Sequence, residues 1–470
     1  MSQTTAIETK RRSNMTLTMF YAATVLVAAA MFMAVRAHGE SAFAVSGAAR
    51  HAVNQKPADP HVFFHVLLAM ATVIVVGRGL GSVLWHVGQP RVIGEILAGI
   101  LLGPSLLGLV WSEAYEYLLP AAAAPHLQVL AQFGVILYMF LVGLELNLGE
   151  LRHRGHATLA ISHASILLPF MLGACLALPL FPRMAPDGVA FTTFALFLGV
   201  SMSVTAFPVL ARILTDRGLS RSPVGVVALA CAAIDDITAW CLLAVVVGVA
   251  RADVESALRT VLLAAGYVAV MLVVVRPLAA RWVARRAELG GTTHTAVATV
   301  FVALLASSLA TEIIGIHAIF GAFLLGAIIP HDSRLARDFL QKLEDIVAVL
   351  LLPAFFAFTG MRTEIQLVSG WENVAWCAAI VALATLGKFA GSAAAARVAG
   401  LEWREASAIG ILMNTRGLME LIVLNIGLDL GVISPTLFAM LVIMAVVTTM
   451  ATSPVLAWCR VDREPAVIDG

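Results

Sequence analysis

The sequence predicts an all-α polytopic membrane protein. Its plan is two inverted six-helix repeats with crossed, discontinuous helices, a linker helix between them and an extra N-terminal helix. Three observations predict it. The 470 residues are 60% hydrophobic and only 13% charged, with mean hydropathy +0.93, whereas about a quarter of a soluble chain is charged. Apolar runs long enough to span a bilayer recur along the whole length. Basic residues fall in alternate connections, as the positive-inside rule requires. The runs are continuously apolar rather than alternating, which excludes a β-barrel.

Residues 1–60 form an N-terminal unit. Lys10, Arg11 and Arg12 precede an apolar run from about Met15 to Val35. Ser41-Ala42-Phe43-Ala44 resembles a signal cleavage site. The run is about twice the length of a signal-peptide core, so a retained helix is favoured over a cleaved signal. A polar link follows. The transmembrane domain occupies 61–458, in thirteen segments near 61–84, 91–110, 126–147, 156–181, 188–214, 222–250, 257–285, 293–311, 316–330, 344–361, 371–398, 404–428 and 433–458. A short tail, 459–470, is expected in the cytoplasm.

The basic connections carry Arg152 and Arg154; Arg217 and Arg221; Arg281, Arg285 and Arg286; Arg334, Arg337 and Lys342; Arg397 and Arg404; and Arg460 with Arg463. Intervening connections carry at most one basic residue, except the link before the first segment, with Arg36, Arg50 and Lys56. The expected location is a bacterial cytoplasmic (inner) membrane, with the C-terminus cytoplasmic. Segments 1–6 (about 61–250) and 8–13 (about 293–458) are two six-helix sets. Segment 7 (about 257–285) is one odd crossing and turns the second set upside down. Inverted repeats place the substrate site at mid-membrane, between discontinuous helices.

The pair Asp235 and Asp236 stands midway along segment 6. Each ionised acid near the bilayer centre costs at least about 2.5–3.5 kcal/mol on insertion scales, so the pair needs a cation, a proton or a basic partner. Lys388, deep in segment 11, is the candidate partner; the other three lysines, Lys10, Lys56 and Lys342, lie in polar stretches. A buried lysine can trade its proton with the acid or form a static ion pair. Neighbouring helical residues point about 100° apart, so one Asp can face Lys388 while the other faces a cavity.

Two breaks surround that cavity. Segment 5 contains Gly199-Val200-Ser201-Met202-Ser203-Val204-Thr205-Ala206-Phe207-Pro208. Pro208 removes a donor and clashes with the carbonyl four residues back. The freed carbonyls, with the Ser201, Ser203 and Thr205 hydroxyls, can then coordinate a dehydrated cation; an ordinary proline kink is the alternative. Segment 12 has its counterpart in Met413-Asn414-Thr415-Arg416-Gly417-Leu418-Met419-Glu420, where Asn414 and Thr415 offer oxygens. Arg416 and Glu420, spaced i,i+4, either neutralise one another or serve transport directly.

Glu95 and Glu145 lie near the inner ends of segments 2 and 3, as entrance-lining or structural acids. His163 and His317 read as packing or hydrogen-bonding residues. Cys175, Cys231, Cys241, Cys377 and Cys459 match no metal or disulfide spacing and read as packing residues. Gly77-Arg78-Gly79-Leu80-Gly81 ends an apolar helix and lacks the sixth-position glycine of a nucleotide loop. No cofactor and no nucleic-acid partner are expected.

These features point to a secondary transporter rather than an enzyme: a monovalent cation exchanged for protons. The nearest rival is a cation channel or uniporter without proton coupling. An intramembrane aspartyl protease would want its acids on different helices facing across a water. A non-transporting sensor would not require two matching breaks.

Several stretches resemble the monovalent cation/proton antiporters, in particular the Kef-like and plant cation/proton exchanger branch. They are Gln89-Pro90-Arg91-Val92-Ile93-Gly94-Glu95-Ile96-Leu97-Ala98-Gly99, Leu141-Val142-Gly143-Leu144-Glu145, Thr205-Ala206-Phe207-Pro208-Val209-Leu210-Ala211-Arg212, Gly315-Ile316-His317-Ala318-Ile319-Phe320-Gly321-Ala322-Phe323 and Met413 to Leu421. The resemblance implies the sodium/proton antiporter fold and a homodimer in which a core moves against a dimerisation domain. It implies Asp236 as the main carboxylate for Na⁺ or K⁺, assisted by Asp235, and Asp235 as the proton-linked partner of Lys388. Kef systems continue into a nucleotide-binding domain and plant exchangers into a long hydrophilic tail. This sequence stops at Gly470, so no in-chain nucleotide-binding regulatory domain is expected. Ion choice and stoichiometry both stay open on the residues alone.

Overall fold

The computed structural model describes residues 61–145, 155–219, 222–250, 254–288 and 293–459. The expected helix at 15–35, the polar link, the tail from 460 and Arg152, Arg154 and Arg221 lie outside these residues. Among the described residues every regular element is helical. The scaffold of the first half is α1 (Val62–His86), α2 (Arg91–Leu102), α3 (Leu107–Val110), α4 (Ser112–Leu118) and α5 (Ala124–Glu145). Then come α6 (Gly155–Met184), α7 (Phe191–Ser203), α8 (Phe207–Arg217) and α9 (Pro223–Ala250). A connecting pair, α10 (Val254–Val270) and α11 (Arg276–Glu288), is joined by a π-helical turn at Met271–Val275. The second half holds α12 (His294–Ile314), α13 (Ala318–Ile328), α14 (Arg334–Ile346), α15 (Leu352–Met361), α16 (Trp371–Val398), α17 (Trp403–Met413), α18 (Leu418–Asp429) and α19 (Pro435–Trp458).

Among the described residues, eleven spans are long and apolar enough to cross a membrane, or twelve if the bent pair α17–α18 is one span. Each expected segment coincides with one of them except 316–330. There α13 has only 11 residues, and at 1.5 Å per residue it covers about half the hydrocarbon core. Segment 10 starts at Arg334 rather than near 344. Its charged first turns read as loop in the sequence, but Ser333 caps them and Leu335, Ala336 and Phe339 bury one face. Pro208 also acts differently from expectation. It does not kink a continuous helix: α7 has already ended at Ser203, and Pro208 sits in the first turn of α8, where its missing N–H costs nothing. Cys175 and Cys241 are exposed on the surface rather than packed inside.

The helices sort into two packed bodies. In the scaffold, α5 packs on α13, α15 and α14, α2 on α1 and α15, and α12 on α13. In the core, α6 packs on α7, α16 and α9, and α17, α18 and α19 close around them. Each body takes three segments from each half, as two interlocked inverted repeats would. The connecting pair α10–α11 touches α9 of the core and α12, α13 and α14 of the scaffold, and only 6% of its apolar span is buried.

Close backbone approaches hold each body together from within. A Cβ at Gly360 would overlap the backbone of Gly99, where α15 crosses α2, and one at Gly326 would meet Phe140 where α13 crosses α5. In the core, a Cβ at Gly427 would overlap the ring of Phe197. Such crossings make each body resist internal deformation, because packed interfaces deform reluctantly. Gly360→Val is expected to lower the melting temperature of the detergent-solubilised protein, by overpacking worth about 1–3 kcal/mol. An unchanged melt would show that the crossing can relax.

Candidate functional site

The two breaks meet in the core. Residues 204–206 are extended between α7 and α8, and 414–417 separate α17 from α18, which are bent by 42°. The breaks are stitched together by two bonds. The Ala206 N–H donates to the Thr415 carbonyl at 3.0 Å, and the Thr205 hydroxyl faces the Met413 carbonyl at 3.0 Å. Backbone groups released by each interruption thus find partners in the other, as a membrane interior demands.

Asp235, fully buried on α9, is surrounded by donors. Ser162 Oγ donates to Oδ1 at 2.6 Å, Ser165 Oγ donates to Oδ2, and Thr205 Oγ1 lies 2.9 Å from Oδ2. Lys388 Nζ, also fully buried, stands 3.2 Å from Oδ2 and donates to Thr205 Oγ1. Thr205 has one hydroxyl hydrogen for two acceptors, Asp235 and the Met413 carbonyl. It is therefore the joint between the charge pair and the breaks.

Asp236 is 2% exposed, and neither of its carboxylate oxygens has a hydrogen-bond partner. The N–H of Phe207, in the first turn of α8, is close by, so the positive end of a helix dipole faces the acid. The Asn414 amide, the Thr415 hydroxyl and the Ser201 hydroxyl are buried and unpartnered too. Buried polar groups are almost always satisfied; these exceptions stand on α9 beside Asp235, at the end of α7 and in the break between α17 and α18.

Ser203 is committed elsewhere: its hydroxyl lies 2.6 Å from the Gly199 carbonyl and 3.1 Å from the Ile166 carbonyl. The α7 carbonyls expected to be free are occupied as well. Arg416, fully buried, donates from Nη1 to Ser201 O at 2.8 Å and from Nη2 to Met202 O at 2.6 Å. Its Nη1 also meets Glu420 Oε2 at 3.0 Å. A resident guanidinium thus covers the negative end of α7, with Glu420 as its counter-ion. Arg416→Lys is expected to lower the melting temperature, because one ammonium cannot reproduce the fork that spans both carbonyls and the carboxylate. A lysine variant as stable as wild type would contradict this.

Glu95 and Glu145 belong to the scaffold, on α2 and at the end of α5, and neither joins the core cluster. Both act electrostatically on the buried Tyr138, as do Asp236 and Glu344. His163 faces outward, its ring bonded to the Leu159 carbonyl. The sequence reading missed Ser162, Ser165 and Tyr138. Two serines spaced i,i+3 in an apolar run were the available signal for one polar stripe; nothing marked Tyr138.

A family model described as sodium/hydrogen exchanger, transmembrane, matches residues 67–458. The chain belongs to the sodium/hydrogen exchanger family. A family relative named Na(+)/H(+) antiporter NhaS4, from Synechocystis, is 44% identical over 394 residues, covering 83% of this chain and 96% of the relative. Cation/H(+) antiporter 20 of Arabidopsis thaliana is 39% identical over 403 residues, 83% of this chain and 48% of the relative. K(+)/H(+) antiporter 1 of Saccharomyces cerevisiae is 35% identical over 376 residues, 78% of this chain and 43% of the relative. The chain thus spans about half the length of the plant relative and less than half that of the yeast one. A solved structure of the sodium proton antiporter MjNhaP1 from Methanocaldococcus jannaschii matches with TM-score 0.61 at 14% identity, covering 84% of this chain and 98% of that one. The exchanger-family fold is therefore shared where little sequence is. The family is one of transporters, and the apolar spans make this chain a multi-pass membrane protein.

Proposed function

We propose that this chain exchanges a monovalent cation for protons across a bacterial inner membrane by alternating access. The relatives named as Na⁺/H⁺, K⁺/H⁺ and cation/H⁺ antiporters support the reaction class. The observation that carries the reading is Asp236: a buried carboxylate without a partner, beside a second carboxylate whose cation is fixed in place. A carboxyl group in a low-dielectric site is neutral unless a cation sits on it. Proton and metal ion therefore exclude one another at Asp236, and the loaded or protonated site crosses the membrane more cheaply than the bare charge.

Asp236 is the ion carboxylate, and Asn414, Thr415 and Ser201 offer further oxygens from the breaks. Asp235 and Lys388 supply the proton-linked pair, joined to the breaks by Thr205. The separate packing of core and scaffold supports an elevator-like movement of the core, carrying both breaks and both acids together. The repeats run over about 61–250 and 293–458, the protein works as a homodimer, and its C-terminus is cytoplasmic.

The test is reconstitution in vesicles holding a pH dye, with sodium, potassium, lithium and rubidium added in turn. At least one cation should move the lumenal pH in wild type. Cation uptake without any proton movement would replace the exchanger by a channel or uniporter.

A further inference from the structure

Core and scaffold meet through a polar cluster at the end away from the basic connections. Arg362 ends α15 of the scaffold and reaches across to α18 of the core. Its Nη2 lies 2.7 Å from Asp429 Oδ1, and its Nη1 donates to Asn425 Oδ1 at 3.1 Å. Asn425 sends a bond back, its Nδ2 donating to Thr359 Oγ1 on α15 at 3.0 Å. The guanidinium also lies over the Phe358 ring, 5.1 Å from its centroid. Thr359 and Asn425 are buried, whereas the Arg362 and Asp429 side chains keep 21% and 42% of their surface. The amide bonds thus occupy the dry side of the seam and the ion pair its wet edge.

The other end of the seam is built differently. There Gln89 Nε2 donates to Met450 O at 3.0 Å and Arg217 Nη2 to Gly88 O at 3.3 Å, beside a cavity lined by Trp85, Gln89, Asp216 and Arg217. Among the described residues no ion pair joins the two bodies at that end. An ion pair and a second bond from the same guanidinium close one mouth, and single bonds to carbonyls border a cavity at the other.

We infer that Arg362, Thr359, Asn425 and Asp429 form a clasp that closes the outer mouth of the transport route, with Arg362 as a tethered cation on Asp429. The inference rests on the exchange reading for its role in transport. Two features of the chain make the clasp part of the cycle. The helix α18 that carries Asn425 and Asp429 begins at the break holding Asn414 to Gly417, so any slide of the core moves the clasp residues with the site. Hydrogen bonds weaken steeply beyond about 3.2 Å, so a slide of several ångströms must break all three contacts. A metal ion arriving from this side meets a carboxylate already holding a guanidinium and must displace it.

Hydrogen–deuterium exchange of wild type, R362A, D429N and the charge swap R362D/D429R in lipid nanodiscs is the test. In both single variants the amides of 352–361 and 418–429 should exchange about fivefold faster or more, and the swap should bring them back toward wild type. In vesicles of one orientation, R362A should lower the apparent KM for cation added at the clasp face by about threefold and leave the KM at the opposite face unchanged. Unchanged amide exchange in both single variants would overturn the clasp, as would an equal KM change at both faces. Amide exchange needs no transport, so a protein that moves no ions would sink the proposed function without deciding the clasp.

Discussion

Asp236→Asn is expected to abolish cation-for-proton exchange, with the rate falling about 100-fold or more, while the protein stays folded. The physical argument is an asymmetry between the two neighbouring acids. Asp236 has no side-chain hydrogen-bond partner, and the nearby Phe207 N–H can face the carbonyl oxygen of asparagine as well as the carboxylate, so its isostere removes no stabilising contact. Taking an uncompensated carboxylate out of a low-dielectric site is neutral or favourable for stability. Asparagine keeps an oxygen but can neither release a proton nor supply a full negative charge, so the competition between proton and metal ion ends. Vesicle exchange and a thermal melt on the same preparation check both halves. Exchange at wild-type rates would remove Asp236 from the site. Loss of exchange together with a collapsed melting temperature would make the residue a structural one.

The opposite pattern is expected at Lys388→Met. Asp235 would keep its three hydroxyl neighbours and lose its cation. Breaking a buried pair from one side costs about 3–5 kcal/mol, because a charge is left without compensation, so both stability and exchange should fall steeply. The double variant Asp235→Asn/Lys388→Met should recover most of the stability, since replacing both members removes the stranded charge. Its exchange then separates two roles. Proton-linked exchange that returns with altered pH dependence marks the pair as a partner to Asp236; exchange that stays absent marks it as the proton carrier. A double variant no more stable than Lys388→Met would contradict the ion pair itself.

Much of the architecture is legible without coordinates because a bilayer constrains a chain so strongly. Every spanning stretch has to be long and apolar, and every basic connection takes a side, so runs such as 371–398 and 433–458 announce themselves. The misreadings occur where that pressure relaxes. The helix from Arg334 is charged on one face and buries Leu335, Ala336 and Phe339 on the other, so its mean hydropathy hides it, and the short α13 packs against α5 and α12 inside the scaffold. Pro208 was legible as an interruption, but its position relative to the helix end depended on where α7 stopped, in a core where α7 packs against α6 and α9. Ser203 and the α7 carbonyls were candidates for the ion; the fold gives the hydroxyl to Gly199 and Ile166 and the carbonyls to Arg416.

By itself the sequence determined the class of molecule, the family, and which charges had to be accounted for: acids at 235 and 236, a lysine at 388, and the Arg416–Glu420 pair. Only the tertiary structure decided how those charges are shared out. Adjacent acids on one helix are equivalent in a string of letters, yet Ser162, Ser165, Thr205 and Lys388 all converge on Asp235 and leave Asp236 bare. The same is true of Arg362, an unremarked loop residue until α15 and α18 are brought side by side. The reason is physical: hydropathy is additive along the chain and survives in one dimension, whereas a hydrogen bond or ion pair depends on a few ångströms between residues far apart in sequence.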